Sequence, residues 1–245
     1  MRHDLSITTP DGTCPATLHT PEGSGPWPGV ILFPDAGGAR PTMAEMADHL
    51  AGMGYAVLLP DVYYRHGDWA PFDMKTAFSD EAERARLFSM LKSLTNEMVV
   101  ADTEAFIEAL HARPEVTDGP IGTTGYCMGG RISLTVAGHL GDKIGAAASF
   151  HGGGLADPDN PNSPHLRADK ITATVYVAGA ENDNSYTPEQ AELLEQALTD
   201  AGVPHTLEFY PALHGFAVPD NPTYDPEAQK RHWAALEQLY ATTLR

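Results

Sequence analysis

Short apolar runs alternate with amphipathic stretches along most of the chain. The apolar or alternating runs have the length and composition of β-strands. These predicted strands are Leu5–Thr8, Cys14–His19, Gly29–Phe33, Tyr55–Pro60, Pro120–Thr124, Ile144–Phe150, Thr172–Ala178 and His205–Tyr210. The amphipathic stretches carry apolar residues at helical spacing, and glycine or proline interrupts the pattern at several of their ends. These predicted helices are Thr42–Met53, Ser79–Leu94 with Ser79 as its cap, Asn96–Ala112, Arg131–His139, Pro188–Ala201 and Asp225–Leu244.

The order of these elements indicates the fold class. Strands that alternate with helices, and that are themselves mostly apolar, form a largely parallel sheet with helices on both faces. We find no linker or repeat that divides the 245 residues, so residues 1–245 are predicted to form a single α/β domain. In such sheets ligands bind beyond the carboxyl ends of the strands, which makes the loops at those ends candidate sites.

The composition and net charge of the chain limit the kinds of binding partner that are expected. The formal net charge is −18, from 33 acidic and 15 basic residues. Nucleic acid and anionic membrane surfaces are therefore unexpected partners, and an anionic ligand would need a local basic patch. The chain has only two cysteines, no apolar run long enough to span a bilayer, and no apolar segment of the secretory type near Met1. We expect a reduced, cytoplasmic setting, and a monomer or small homo-oligomer.

The strongest motif is G-Y-C-M-G-G at 125–130, between a predicted strand and a predicted helix. It has the form of a nucleophile elbow in which Cys127 occupies the serine position. A sharp strand-to-helix turn needs the space that Gly125 and Gly129 provide, and the helix that follows favours a thiolate. The alternative is that Cys127 is an unreactive cysteine in a glycine-rich turn.

Two further loops carry the residues that would complete such a site. Asp183 follows strand Thr172–Ala178, and His214 follows strand His205–Tyr210. A parallel sheet brings these strand ends together with Cys127, in the chain order nucleophile, acid, base. Glu181 is the alternative acid. Other histidines have structural interpretations: His151 opens a glycine-rich loop near the pocket, and we expect His111, His139 and His232 at the surface or partly packed.

The loop after strand Gly29–Phe33 is expected to help hold an oxyanion. The backbone N–H groups of Met128 and Ala36 are the predicted donors. Asp35 in the same loop is a candidate for hydrogen bonding to the resting thiol, although it is also a common turn residue before two glycines. The sequence lacks the spacing of a metal site, a Walker loop or a dinucleotide-binding loop, so no metal or cofactor is expected.

At these residues the chain resembles the dienelactone hydrolase family of α/β-hydrolases. The matching segments are G-Y-C-M-G-G at 125–130, G-A-E-N-D at 179–183, H-G-F-A at 214–217 and L-L-P-D-V-Y at 58–63. The resemblance implies an α/β-hydrolase fold and a triad of Cys127, Asp183 and His214. It also implies a carboxylate at Asp35, where the family usually has a longer glutamate.

The resemblance also bears on the substrate. In the dienelactone-specific members two arginines grip the substrate carboxylate. One of these positions is matched here by Arg84, with Arg86 as its rival, and the other is occupied by Val218. The missing arginine suggests a less anionic ester or lactone.

These observations predict a cofactor-free hydrolase of small carboxylic esters or lactones that forms a thioester at Cys127. The alternative is a non-hydrolytic binding or redox-sensing module in which Cys127 is the reactive thiol. An acyltransferase is a weaker third candidate.

Overall fold

A computed structural model describes residues 1–244. The described residues form one eight-stranded sheet in the order β1-β2-β4-β3-β5-β6-β7-β8. The strands are β1 (Arg2–Thr9), β2 (Gly12–His19), β3 (Gly29–Phe33), β4 (Ala56–Pro60), β5 (Ile121–Tyr126), β6 (Ile144–Phe150), β7 (Thr174–Ala180) and β8 (His205–Tyr210). Pairing is antiparallel between β1 and β2 and between β2 and β4, and parallel from β4 through β8. The predicted mostly parallel sheet is confirmed.

Helices cover both faces of this sheet. They are α1 (Pro41–Gly52), α2 (Glu81–Ser93), α3 (Asn96–His111), α4 (Met128–Leu140), α5 (Pro188–Asp200) and α6 (Pro226–Thr243). Buried side chains from α2 to α5 share one core layer with the sheet. Those from α1 and α6 share the other. The central strands β3 and β5 are buried at every residue. Accordingly β3 is apolar throughout, whereas β5 also buries Thr123, whose hydroxyl is hydrogen-bonded to that of Ser133 at 2.8 Å.

Two sequence-based expectations about individual residues were wrong. Ser79 does not cap α2, because the cap is Asp80, whose carboxylate accepts the backbone N–H of Glu83 at 2.9 Å. His232 is not at the surface: it is fully buried, and its Nε2 lies 2.8 Å from the hydroxyl of Tyr126. Burial lowers the pKa of His232 to about 3, so this histidine is a neutral part of the core.

No helix of residues 1–244 combines the length and the apolar character that a membrane crossing requires.

Candidate active site

The turn between β5 and α4 has the geometry of a nucleophile elbow. Cys127 sits at φ 53° and ψ −113°, a conformation that L-residues rarely adopt. A Cβ on Gly125 would lie 2.1 Å from the backbone of Gly129, and a Cβ on Gly129 would lie 2.2 Å from the carbonyl oxygen of Phe33. Both positions therefore require glycine, and the tight packing between β5, α4 and β3 holds the strained cysteine in place. Cys127 is only half-buried, so its thiol is accessible.

The structure brings Asp183 and His214 together. Nδ1–H of His214 donates a hydrogen bond to Oδ2 of Asp183 at 2.6 Å. The Asp183 side chain is 5% exposed and that of His214 is 34% exposed, so the acid is enclosed and the imidazole reaches the surface of the site. Oδ1 of Asp183 accepts the backbone N–H and the hydroxyl of Ser185, at 2.8 and 2.7 Å. These contacts fix the carboxylate, which in turn fixes one ring tautomer of His214.

Glu181 has a different environment. Its side chain is exposed, while its backbone N–H donates to the carbonyl of Tyr210 at 3.0 Å. Asn182, between Glu181 and Asp183, has a φ of 62° and turns the chain so that Asp183 points at His214. Of the two acids considered from the sequence, only Asp183 contacts the imidazole.

The charges of the pair are coupled. Burial by itself lowers the pKa of His214, but the hydrogen bond to Asp183 and the proximity of Cys127 outweigh it and raise that pKa to about 10. Burial tends to raise the pKa of Asp183, and the hydrogen bond from His214 overcomes this so that the pKa is lowered. The site thus favours an imidazolium beside a carboxylate, which is also the partner that a Cys127 thiolate requires.

The two residues whose N–H groups were predicted to hold an oxyanion lie at the same cavity. Ala36 and Met128 both line it together with Cys127 and His214. Met128 is the first residue of α4, so its backbone N–H has no acceptor four residues back within the helix. The hydroxyl of Tyr63 donates to the carbonyl of Ala36 at 3.0 Å and also contacts the Met128 sulfur at 3.4 Å, which holds the two segments against each other.

Asp35 does not meet the thiol in this structure. Arg40 donates to both of its carboxylate oxygens, at 2.6 and 3.0 Å, and the backbone N–H of Gly37 donates to Oδ1 at 2.9 Å. Arg40 also donates to both carboxylate oxygens of Asp220, at 2.7 and 2.8 Å. The Asp35 and Arg40 side chains are each 3% exposed. This buried cluster ties the loop carrying Ala36 to the loop that follows His214.

The cavity itself has a volume of about 580 Å³. One wall is the face of α4 that carries Cys127, Met128, Arg131 and Thr135, and α2 and the start of α3 form the opposite wall. Apolar side chains of the segment 78–94 supply most of that second wall. They are Phe78, Leu87, Phe88, Leu91 and Leu94. The segment 78–94, which includes α2, therefore forms one wall of the cavity.

The arginines considered from the sequence lie elsewhere. Arg84 is exposed on α2 and is not among the residues lining the cavity. Arg86 is paired with Glu83 at 2.6 Å and stacks on the ring of Phe72 at 3.7 Å. Val218 is fully buried in the core layer that α1 and α6 share with the sheet. None of these three positions supplies a charge to the cavity.

His151 lies behind the imidazole of His214. It is fully buried at φ 40°, and its ring centroid is 5.1 Å from that of His214 in an edge-to-face arrangement. Burial lowers its pKa well below the ordinary value, so it is neutral. The loop that it opens reaches the cavity through Gly153 and Gly154, in agreement with the interpretation of H-G-G-G as a loop near the pocket.

Sequence reasoning missed three features of the site. Ser185 buttresses Asp183, and its position two residues after the acid was a signal that could have been used. Arg131 lines the cavity, and its place one helical turn after Cys127 was likewise visible. The pairing of Arg40 with Asp220 joins residues 180 positions apart, and no local pattern indicates it.

The chain is similar to known proteins over most of its length. The profile of the dienelactone hydrolase family matches residues 14–244. A carboxymethylenebutenolidase of Pseudomonas sp. strain P51 is 31% identical over 203 residues, which cover 83% of this chain and 79% of that protein.

Solved structures extend the comparison. A dienelactone hydrolase-like promiscuous phosphotriesterase from metagenomic libraries superposes with a TM-score of 0.76 at 27% identity, covering 100% of this chain and 99% of that one. The acylaminoacyl peptidase of Pyrococcus horikoshii shares the fold alone, with a TM-score of 0.73 at 16% identity over 100% of this chain and 42% of its own. With an α/β-hydrolase sheet, a cysteine elbow and a family match over nearly its whole length, the chain belongs to the dienelactone hydrolase family and is a hydrolase.

Proposed function

We propose that this hydrolase cleaves small carboxylic esters or lactones through a thioester formed on Cys127. The observation that carries the proposal is the shared cavity in which the strained Cys127 meets His214, itself held by Asp183 at 2.6 Å. A nucleophile at an elbow, a base beside it and an acid behind the base form the arrangement used for acyl transfer.

In the acylation step the Cys127 thiolate attacks the ester carbonyl carbon. The carbonyl oxygen becomes an oxyanion, which the N–H groups of Met128 and Ala36 stabilise. The tetrahedral intermediate collapses as the carbon–oxygen bond to the leaving group breaks, and the imidazolium of His214 gives its proton to the departing alkoxide. In a lactone the released alcohol stays attached to the acyl group.

Deacylation reverses the proton movement. Neutral His214 takes a proton from water, and the resulting hydroxide attacks the thioester carbonyl in the same oxyanion site. Collapse of this second intermediate breaks the carbon–sulfur bond and releases the carboxylic acid. The thiolate and the imidazolium are thereby regenerated. Asp183 keeps the imidazole oriented and stabilises its charge in both steps.

We infer a reduced, cytoplasmic setting and a small-molecule substrate. Both cysteines are free in the structure, and a thiol nucleophile must remain reduced to act.

The test is p-nitrophenyl acetate hydrolysis by the wild type and by Cys127→Ala, with mass spectrometry of the protein quenched in acid during turnover and digested. The expected result is turnover in the wild type, an added acetyl mass on the peptide that contains Cys127, and loss of both in the variant. Equal turnover by the two proteins would remove Cys127 from the mechanism. Rapid sulfenic acid formation at Cys127 without ester turnover would instead support a redox-sensing role.

A further inference from the structure

Arg131 lies in the wall of the cavity and forms no ion pair within residues 1–244. It lies on α4, one turn beyond Cys127, and is half-buried. Its side chain forms no ion pair or hydrogen bond with the described residues 1–244, and its Nε is buried without an acceptor. By contrast, Arg40, Arg65 and Arg86 are each paired with a carboxylate at 2.6 to 2.7 Å. A guanidinium that lines a cavity without a carboxylate partner keeps N–H groups from which an anionic ligand can accept hydrogen bonds.

The charges around the cavity favour an anionic ligand. Its lining includes three basic side chains, those of Arg131, Lys92 and His214, and no aspartate or glutamate from the described part of the chain. In a protein of net charge −18 this is a local basic patch, which an anionic ligand would require. Burial lowers the pKa of Arg131 and the charge of Asp157 partly opposes that shift, yet an arginine remains protonated at working pH.

The shape of the cavity sets the form of the ligand. The lining positions of α4 run from Cys127 to Thr135, and eight residues of helix rise by roughly 12 Å. Along that length the opposite wall is apolar, with Leu87, Phe88 and Leu91 of α2. An ester whose carbonyl lies at Cys127 therefore has room for an apolar body along α2, and it meets Arg131 within that length.

We propose that Arg131 binds a carboxylate of the substrate, and that this cavity accepts elongated esters in which an apolar body separates the scissile carbonyl from a carboxylate, as in half-esters of dicarboxylic acids. The inference rests on the proposed thiol-hydrolase function. It replaces the expectation of a less anionic substrate, which followed from Val218, because the cation now comes from α4 and neither from position 218 nor from Arg84.

The experiment compares two esters of the same size and shape. One is p-nitrophenyl hydrogen adipate, and the other is p-nitrophenyl 6-methylheptanoate, in which an isopropyl group replaces the carboxylate. We expect the wild type to have a higher kcat/KM for the adipate. Arg131→Met should reduce the adipate-to-isostere ratio of kcat/KM roughly 10- to 100-fold, the range expected for a hydrogen bond between charged groups. Arg131→Lys should retain part of the preference.

Matched controls separate local from general effects of charge. Lys230→Met removes one exposed positive charge on α6, on the other face of the sheet, and should leave the ratio unchanged. Arg84→Met should also leave it unchanged. A ratio that survives in Arg131→Met, or a variant in which both esters lose the same factor, would overturn the proposal, the latter by making Arg131 merely structural.

A second measurement does not depend on turnover. Alkylation of Cys127 by 6-maleimidohexanoic acid is compared with alkylation by N-hexylmaleimide. The proposal predicts that the anionic reagent gains rate relative to the neutral one in the wild type and loses that gain in Arg131→Met. If neither ester is cleaved while this charge preference is present, the hydrolytic function fails and the anion site stands. If esters are cleaved without any charge preference, the reverse holds.

Discussion

Two carboxylate clusters lie at the same edge of the sheet and have opposite characters. In the pair Asp183–His214 the acid is enclosed, but the imidazole is 34% exposed and opens into the cavity. In the cluster of Asp35, Arg40 and Asp220, Arg40 is 3% exposed and donates to all four carboxylate oxygens. The first cluster leaves an imidazole open to the cavity, whereas in the second every carboxylate oxygen accepts a hydrogen bond from Arg40 and the arginine has no donor group left for a ligand. A carboxylate near a nucleophile is therefore not by itself part of the chemistry.

The largest expected effect is on the first cluster. In the proposed mechanism His214→Ala removes the group that protonates the leaving alkoxide and activates water. We expect kcat/KM for p-nitrophenyl esters to fall by roughly 10⁴-fold or more, as in other triads. The variant also leaves the enclosed Asp183 carboxylate without its imidazolium partner, so the thermal midpoint should fall while the fold is retained. Loss of both activity and folded structure in the variant would make His214 primarily structural.

Asp183→Asn tests the coupling within the pair. We expect kcat to fall by roughly 10²- to 10⁴-fold, because the amide supports the wrong imidazole tautomer. The pH profile provides a sharper readout. In the wild type the imidazolium loses its proton near the His214 pKa of about 10, so activity should decline on that alkaline side. Without the carboxylate this pKa is lower, and the alkaline limb should move to lower pH. An unmoved limb would contradict the coupling.

Arg40→Met tests the second cluster. It leaves two carboxylates without their cation, one of them almost fully buried, and should lower the free energy of unfolding by about 3–5 kcal/mol. Activity at low temperature should fall less than in Asp183→Asn. Adding Asp35→Asn should recover part of the stability, since it removes one unpaired buried charge. Denaturant unfolding measures both. Unchanged stability in Arg40→Met would mean that the cluster holds nothing together.

The smallest effects concern stability at high pH and the neighbouring acid. The pKa of His214 in the folded protein is higher than that of an unfolded histidine, about 6.5. Its contribution to stability is therefore complete below that unfolded value and is lost as pH rises toward about 10.

Glu181→Gln changes only an exposed side chain and should leave both this pH dependence and activity as in the wild type. A shift equal to that of Asp183→Asn would reopen the choice of acid.

The contrast also shows what the sequence can predict. The elbow was predictable because its requirements are local: strand, glycine, cysteine and glycine follow one another within a few residues. Asp183 and His214 were predictable because each follows its own strand, and a parallel sheet brings those ends together. The sheet and the helices on both faces were predictable because their hydrophobic pattern is also local. The observed ends differ from the predicted ones by one or a few residues.

Other features depend on contacts between distant residues. His232 has the sequence surroundings of an ordinary helical histidine, and only its packing against Tyr126 and Phe150 shows that it is buried. The use of Asp35 depends on Arg40, and Arg40 also needs Asp220 from far along the chain. Arg84 matched a family position by counting, whereas the arginine that lines the cavity is Arg131. The rotation of a helix about its axis decides which of its side chains reach the cavity. Because α2 is only weakly amphipathic, its sequence does not indicate that rotation.

The most direct test of the central claim is detection of the acyl-enzyme. Wild-type protein is mixed with p-nitrophenyl acetate, quenched in acid within the first turnover and digested. The mass of the peptide containing Cys127 is then measured by mass spectrometry. The account predicts one acetyl group on that peptide, appearing together with a burst of p-nitrophenol and absent from Cys127→Ala. Turnover that proceeds without any acyl group on Cys127, or that survives in Cys127→Ala, would contradict it.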